Sequence, residues 1–337
     1  MTDDAPTHEA PAIFNSKTRP QSADDEISNF GKVNYLEVTR HQHDQRLDNF
    51  LLNRLKGLPK PHIYKMIRSD EIRVNNKRCK AHDRVQREDV VRIAPVVLAT
   101  REKPIISAEF AKSLLARVVY EDEGMLVLNK PSGIAVHGGS GLDFGVIEAM
   151  RESVTGKKYL ELIHRIDKDT SGLLMISKKR SALKALQQHL VDKTIQKHYL
   201  CIAKGQPALN EQRIDASLLR YTVASGERRV KVDAQDPQSK DSQTDIVVHG
   251  RFMIADQPVS LIEAKPLTGR THQIRVHLAH IGHAILGDDK YNVHDKSGVH
   301  RLCLHAWRLD IPGYETITAP LPDDMADWLP EQVKLPE

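Results

Sequence analysis

The chain has few cysteines, no long apolar run and no nucleotide fingerprint, and each shortage removes a class of function. Its 337 residues include only three cysteines, Cys79, Cys201 and Cys303, far apart and without a C-x-x-C pair. That usage suits a reducing compartment and argues against a structural zinc site. No run of about eighteen apolar residues is present, so a membrane-spanning helix is not expected. The N-terminus is polar and acidic, with no apolar stretch behind a basic start, so a secretory leader is not expected and the chain reads as cytoplasmic. The string "HGGSG" from His137 to Gly141 fits neither G-x-G-x-x-G nor the P-loop spacing. His277, His280 and His283 recur every three residues, but Gly282 should end their helix before the third, so no metal site is expected.

What is present is an ordinary soluble composition, 40% hydrophobic and 28% charged, on a chain long enough for two domains. Charge is distributed unevenly. Residues 1–30 hold six acids against Lys17 and Arg19, whereas Arg40 to Pro95 holds fourteen Lys or Arg against seven Asp or Glu. A basic block inside a nearly balanced chain points to a module that binds a polyanion.

Residues 1–32, rich in Pro, Ser, Thr and Asp and without periodicity, read as a disordered acidic tail. Leu47, Phe50, Leu51 and Leu55 then mark an amphipathic helix ended by Gly57 and Pro59, and Ile63, Met66 and Ile67 mark a second. Ile72 to Val74, the turn Asn75-Asn76 and Val90 to Ile93 read as strands. Residues 96–115 read as a linker. Beyond it, Val118 to Tyr120 and Met125 to Leu128 form a hairpin that leads into "NKPSG" at Asn129 to Gly133. A helix over 182–192 and a strand over 195–203 follow, and short strands are expected in 209–235 and 242–265. Hairpins interspersed with occasional helices imply an α+β unit on a mixed, largely antiparallel sheet over 116–331.

One segment dominates: His164-Arg165-Ile166-Asp167-Lys168-Asp169-Thr170-Ser171-Gly172. It lies between Leu160 to Ile163 and Leu173 to Ile176, each the length of a buried strand, so it reads as a tight loop displaying a carboxylate. Two further segments carry reactive side chains. One is Lys197-His198-Tyr199-Leu200. The other is Thr268 to His277, "TGRTHQIRVH", entering a helix with Thr271 as its N-cap.

These strings resemble the RluA-type pseudouridine synthases, whose motif H-R-[LI]-D-x-x-T-S-G is matched at every fixed position. "NKPSG" fits the same family, and "HGGSG" resembles its RluC-type members in particular. The basic module, residues 33–95, resembles the S4 RNA-binding domain, with Asp70 where that family usually has glycine. The resemblance implies that Asp167 is the catalytic residue, that Tyr199 stacks beneath the base and helps remove a proton late in the reaction, and that Arg275 pairs with Asp167. A guanidinium beside a carboxylate in a dry cavity favours the ionised form. Phosphate contacts fall to Lys60, Lys65, Arg68, Arg73, Lys77 and Arg78 in the first domain, and further RNA contacts to Lys130, His164, Arg165 and Arg270 in the second.

The implied reaction is isomerisation of uridine to pseudouridine at several sites of large-subunit (23S-type) ribosomal RNA, with neither metal nor organic cofactor and with no membrane or DNA partner; a monomer is expected, the residues themselves leaving the oligomeric state open. Asp167 would attack the sugar or remove its 2′ proton. Two other readings stay open: the same chemistry on another RNA, and a non-catalytic RNA-binding factor of ribosome assembly.

Overall fold

The structure, a computed structural model, describes residues 20–96, 106–138, 144–153 and 159–336, except 26, 28, 56 and 225. Most of the expected tail, residues 97–105 of the expected linker and the glycines at 139 and 141 lie outside the described residues. The chain divides into two compact units between residues 103 and 104.

The first unit runs β1 (Gln21–Ser22), β2 (Asn34–Glu37), β3 (Gln45–Arg46), α1 (Leu47–Arg54), α2 (Lys60–Arg68), β4 (Ile72–Val74), β5 (Lys77–Arg78), β6 (Arg84–Val85) and β7 (Val90–Ile93). Its sheet has the order β1-β2-β7-β4-β5. The apolar faces of the two helices, Leu47, Phe50 and Leu51 with Ile63 and Met66, bury against Leu36, Ile72, Val91 and Ile93. Pro61 opens α2, where a missing N–H costs nothing. Asn75 and Asn76 both take positive φ, the two-residue turn that matches strand twist. The tail expectation is corrected at its end: Gln21 and Ser22 pair in parallel with Leu36 and Glu37, and Ala23 is buried.

The second unit runs α3 (Ala108–Leu115), β8 (Val118–Glu121), β9 (Met125–Lys130), α4 (Val146–Ser153), β10 (Glu161–Leu162), β11 (Ser171–Ser177), α5 (Arg180–Val191), β12 (Gln196–Lys204), β13 (Glu211–Asp215), β14 (Leu218–Thr222), β15 (Arg228–Val232), β16 (Gln243–Ile254), β17 (Gln257–Pro266), α6 (Gln273–His280), β18 (Leu304–Asp310), β19 (Ile317–Thr318) and α7 (Asp323–Ala326). Two expectations change here. The end of the linker is the helix α3, capped by Ser107 Oγ on the Phe110 N–H and burying Ala111 and Leu114. The stretch 242–265 is not short strands but one long hairpin, β16 and β17, turned by Ala255 and Asp256 at positive φ.

The large sheet has the path β13-β16-β17-β12-β18-β11-β9-β8 and is antiparallel throughout that path except for β11 beside β18. The register places the functional segments. Gly172 of β11 and Tyr199 of β12 both stand opposite Ala306 on the strand between them. Tyr199 also faces Ala264 of β17, which leads into the 267–272 segment and α6. The loop before β11, the start of β12 and the entry to α6 therefore meet at one end of the sheet.

Candidate active site

The 164–170 loop is held from several directions. The His164 Nε2 accepts the Met175 backbone N–H at 3.0 Å. Ser171 Oγ accepts from Arg301 Nη2 at 2.9 Å and bonds His305 Nδ1 at 2.8 Å. Gly172 takes φ 105° against β18, where a Cβ would stand 2.2 Å from the Ala306 carbonyl oxygen. Only glycine fits that position. The "NKPSG" segment completes the frame. Lys130 Nζ donates to the carbonyls of Pro131, Ile134 and Lys168 at 2.8, 2.8 and 2.9 Å, and Ser132 Oγ donates to the Asp169 carbonyl at 2.6 Å.

Two expected RNA contacts are corrected by this frame. Lys130 is fully buried and its three donors are taken by backbone, so it braces the loop instead of meeting a phosphate. His164 gives its Nε2 to the Met175 N–H while its buried Nδ1 has no partner among the described residues, and burial depresses it to about 3, leaving it a neutral brace. Arg165 and Arg270, by contrast, are exposed and line the pocket.

That pocket contains Asp167, Tyr199, His272 and Arg275 together. Tyr199 is 8% exposed, and burial, reinforced by the charge of Asp167, pushes its hydroxyl well above the ordinary phenol range. It is a neutral phenol with a ring available as a platform. Lys197, two residues earlier, lines the same pocket, and burial lowers its ammonium.

Arg275 is the largest fully buried side chain. The family resemblance pairs it with Asp167, but its two-pronged partner is Asp288, with Nε–Oδ2 2.8 Å and Nη2–Oδ1 2.7 Å. Asp167 receives the remaining nitrogen, Nη1, at 3.6 Å from Oδ2. The Asp288 hydrogen bonds raise the already basic guanidinium further, against the effect of burial. Asp288 also accepts the backbone N–H groups of Lys290 and Tyr291, fixing the turn that brings the Tyr291 ring beneath the guanidinium at 5.2 Å.

The entry to α6 starts one residue later than expected: the N-cap is His272, in left-handed backbone at φ 53°. Gln273 locks the preceding segment. Its Oε1 accepts from Thr268 Oγ1 and the Arg270 N–H, and its Nε2 donates to the Gln243 carbonyl. Gly282 follows α6 at φ 87°, as expected, and His277 bonds Thr244 and Ser242. Asp288, His272 and Tyr291 are the residues that motif reading left without roles. No periodicity links Asp288 or Tyr291 to Arg275.

In the first unit, Lys60, Lys65, Arg68, Lys77 and Arg78 are exposed and Arg73 half-buried. Asp70 adopts φ 64°, the conformation a glycine would supply, and its carboxylate pairs with Arg73 and lies 3.7 Å from Arg78.

Residues 124–280 match the family model described as RNA pseudouridylate synthase, and residues 45–91 match that of the S4 domain. The chain is 43% identical over 320 residues to the Ribosomal large subunit pseudouridine synthase C of Pasteurella multocida (strain Pm70), covering 90% of this chain and 95% of that one. It is 44% identical over 284 residues to the protein of the same name from Escherichia coli (strain K12), covering 81% and 87%. Among solved structures, Human RNA Pseudouridylate Synthase Domain Containing 1 superposes with a TM-score of 0.52 at 29% identity, over 61% of this chain and 82% of that one. The chain belongs to the RNA pseudouridylate synthase family.

Proposed function

We propose that this chain isomerises uridine to pseudouridine at several positions of large-subunit ribosomal RNA, with Asp167, Tyr199 and Arg275 as its catalytic residues. The observation that carries the reading is a carboxylate at the mouth of a pocket, faced through one oxygen by the buried Arg275 and flanked by a neutral tyrosine. The target is supported by the name its relatives carry, at 43–46% identity over most of the chain. A ribosomal substrate supports a cytoplasmic place of work.

The reaction breaks the N1–C1′ bond, turns the uracil and joins C5 to C1′. N1 gains a proton and C5 loses one, so the product is an isomer and no co-reactant is consumed. Asp167 acts on the sugar, at C1′ or at the 2′ proton. Arg275 fixes one carboxylate oxygen, and Tyr199 gives the turning base a flat apolar surface. Arg165 and Arg270 at the rim meet the RNA backbone, while Lys60, Lys65, Arg68 and Lys77 of the first unit hold the transcript through its phosphates.

Unmodified large-subunit RNA carrying tritium at uridine C5 tests the proposal, because each turnover releases that hydrogen to water. The wild type should release tritium and Asp167→Asn should release none. No release from wild-type protein on this RNA, with release from transfer RNA, would move the target to the second reading. No release from either would leave an RNA-binding factor.

A further inference from the structure

Asp167 meets two groups through the same oxygen. Arg275 Nη1 lies 3.6 Å from Oδ2, and His272 Nε2 lies 3.9 Å from it. The other side of the imidazole is engaged, with Nδ1 2.7 Å from the Tyr291 hydroxyl. That hydroxyl already accepts the Val230 backbone N–H at 3.2 Å. Burial raises Tyr291 to about 12, so it carries its proton. Among the described residues, the acceptor this O–H meets is His272 Nδ1. With Nδ1 accepting, a neutral imidazole must hold its proton on Nε2.

We infer that His272 is a positioning residue for Asp167: Tyr291 holds its ring in the Nε2–H form, and that N–H is aimed at the oxygen Arg275 also faces, leaving Oδ1 for the sugar. The inference rests on the functional reading above and deepens it. Both contacts to Oδ2 are longer than hydrogen bonds, as is common before a substrate closes a site. The left-handed backbone of His272 supports the assignment, since a non-glycine residue in that conformation is retained where the surroundings demand it. The groups facing the imidazole are Asp167 from the catalytic loop, Arg275 from α6, and Asp288, Lys290 and Tyr291 from the turn beyond it.

His272→Asn separates backbone from ring. Asparagine tolerates left-handed backbone and keeps a group near Tyr291, but it is too short to reach Asp167. Its single-turnover rate on large-subunit RNA should fall about 10- to 100-fold with RNA affinity unchanged. His272→Gln, whose amide reaches the Nε2 position, should recover most of that loss. Tyr291→Phe provides an independent reading. Without the hydroxyl, Nδ1 is free to take the proton, which turns the Nε2 lone pair against the carboxylate. Protonating the imidazole restores the Nε2–H, and burial lowers its pKa from the ordinary histidine value, so the wild-type to Tyr291→Phe rate ratio should be largest at alkaline pH and shrink only as pH falls below that ordinary value. The other facing groups are common to both proteins and cancel in the ratio.

A His272→Asn enzyme as fast as wild type overturns the inference. So does a Tyr291→Phe ratio that is constant with pH, which is what a purely structural role for the ring would give. Wild-type turnover is the control for the parent reading: absence of pseudouridine there removes that reading and this inference with it.

Discussion

Arg275 gives two guanidinium nitrogens to Asp288, at 2.8 and 2.7 Å, and turns the third towards Asp167 at 3.6 Å. The catalytic carboxylate thus faces a cation whose position is set by a different acid. Burying such a pair gives little net stability, but breaking one by removing a partner costs about 3–5 kcal/mol, because a lone charge is left behind.

Asp288→Asn should therefore lower both stability and turnover, although Asp288 contacts no substrate in the mechanism proposed. Urea unfolding should show a loss of about 3 kcal/mol or more, and tritium release should fall by at least tenfold. Unchanged release would mean that Arg275 does not depend on Asp288 for its place.

Acid sensitivity follows from two neutral histidines behind the loop. Burial depresses His164 to about 3 and His305 to about 4. Below pH 6.5 the unfolded chain binds protons that the folded one refuses, so stability is present above that pH and is lost as pH falls towards 4. Each histidine contributes up to about 1.4 kcal/mol per pH unit in that window. His164→Gln, whose side-chain oxygen reaches the Nε2 position and keeps an acceptor for the Met175 N–H, should flatten the slope by about that amount. A slope equal to wild type would contradict the neutral brace.

The first unit makes a prediction of opposite sign. Asp70 occupies a glycine-like turn and ties down Arg73 and Arg78. Asp70→Gly keeps the backbone and frees both cations, so RNA binding should tighten and its dependence on salt should steepen. Replacing Lys65, Arg68 and Lys77 by alanine should flatten that dependence by about one unit of logarithmic slope per lost phosphate contact. A slope indifferent to either change would mean that this face does not meet RNA.

Arg165 stands exposed beside Asp167 at the pocket rim. A base must leave its stack to reach Asp167, at a cost of a few kcal/mol in a folded stem. Arg165→Ala should then slow turnover on folded RNA more than on a short unstructured oligonucleotide. Equal losses on both would assign Arg165 to binding alone.

Much of this site was legible because its parts are local. The block from His164 to Gly172 declares itself by lying between two strand-length apolar runs, and Ile72 to Val74 and Val90 to Ile93 were read at their observed bounds. What escaped depends on tertiary contacts. Lys130 reads as a basic contact until burial and three carbonyls claim it. Asp288 lies thirteen residues beyond Arg275, in a turn whose pairing no periodicity encodes. The β16–β17 hairpin was read as separate short strands because Ala255 and Asp256 lack the Asn-Gly signature of the turn they form. The tail's end joins the sheet through backbone pairing alone, which leaves little trace in side-chain pattern.

The central claim is that Asp167 converts uridine to pseudouridine in large-subunit ribosomal RNA. Its most direct test replaces the chromosomal gene with Asp167→Asn and maps pseudouridines across all ribosomal and transfer RNA by chemical adduct and primer extension. The account predicts that particular large-subunit positions revert to uridine while transfer RNA is unchanged. An unaltered map, in a host with no second enzyme for those positions, would contradict it.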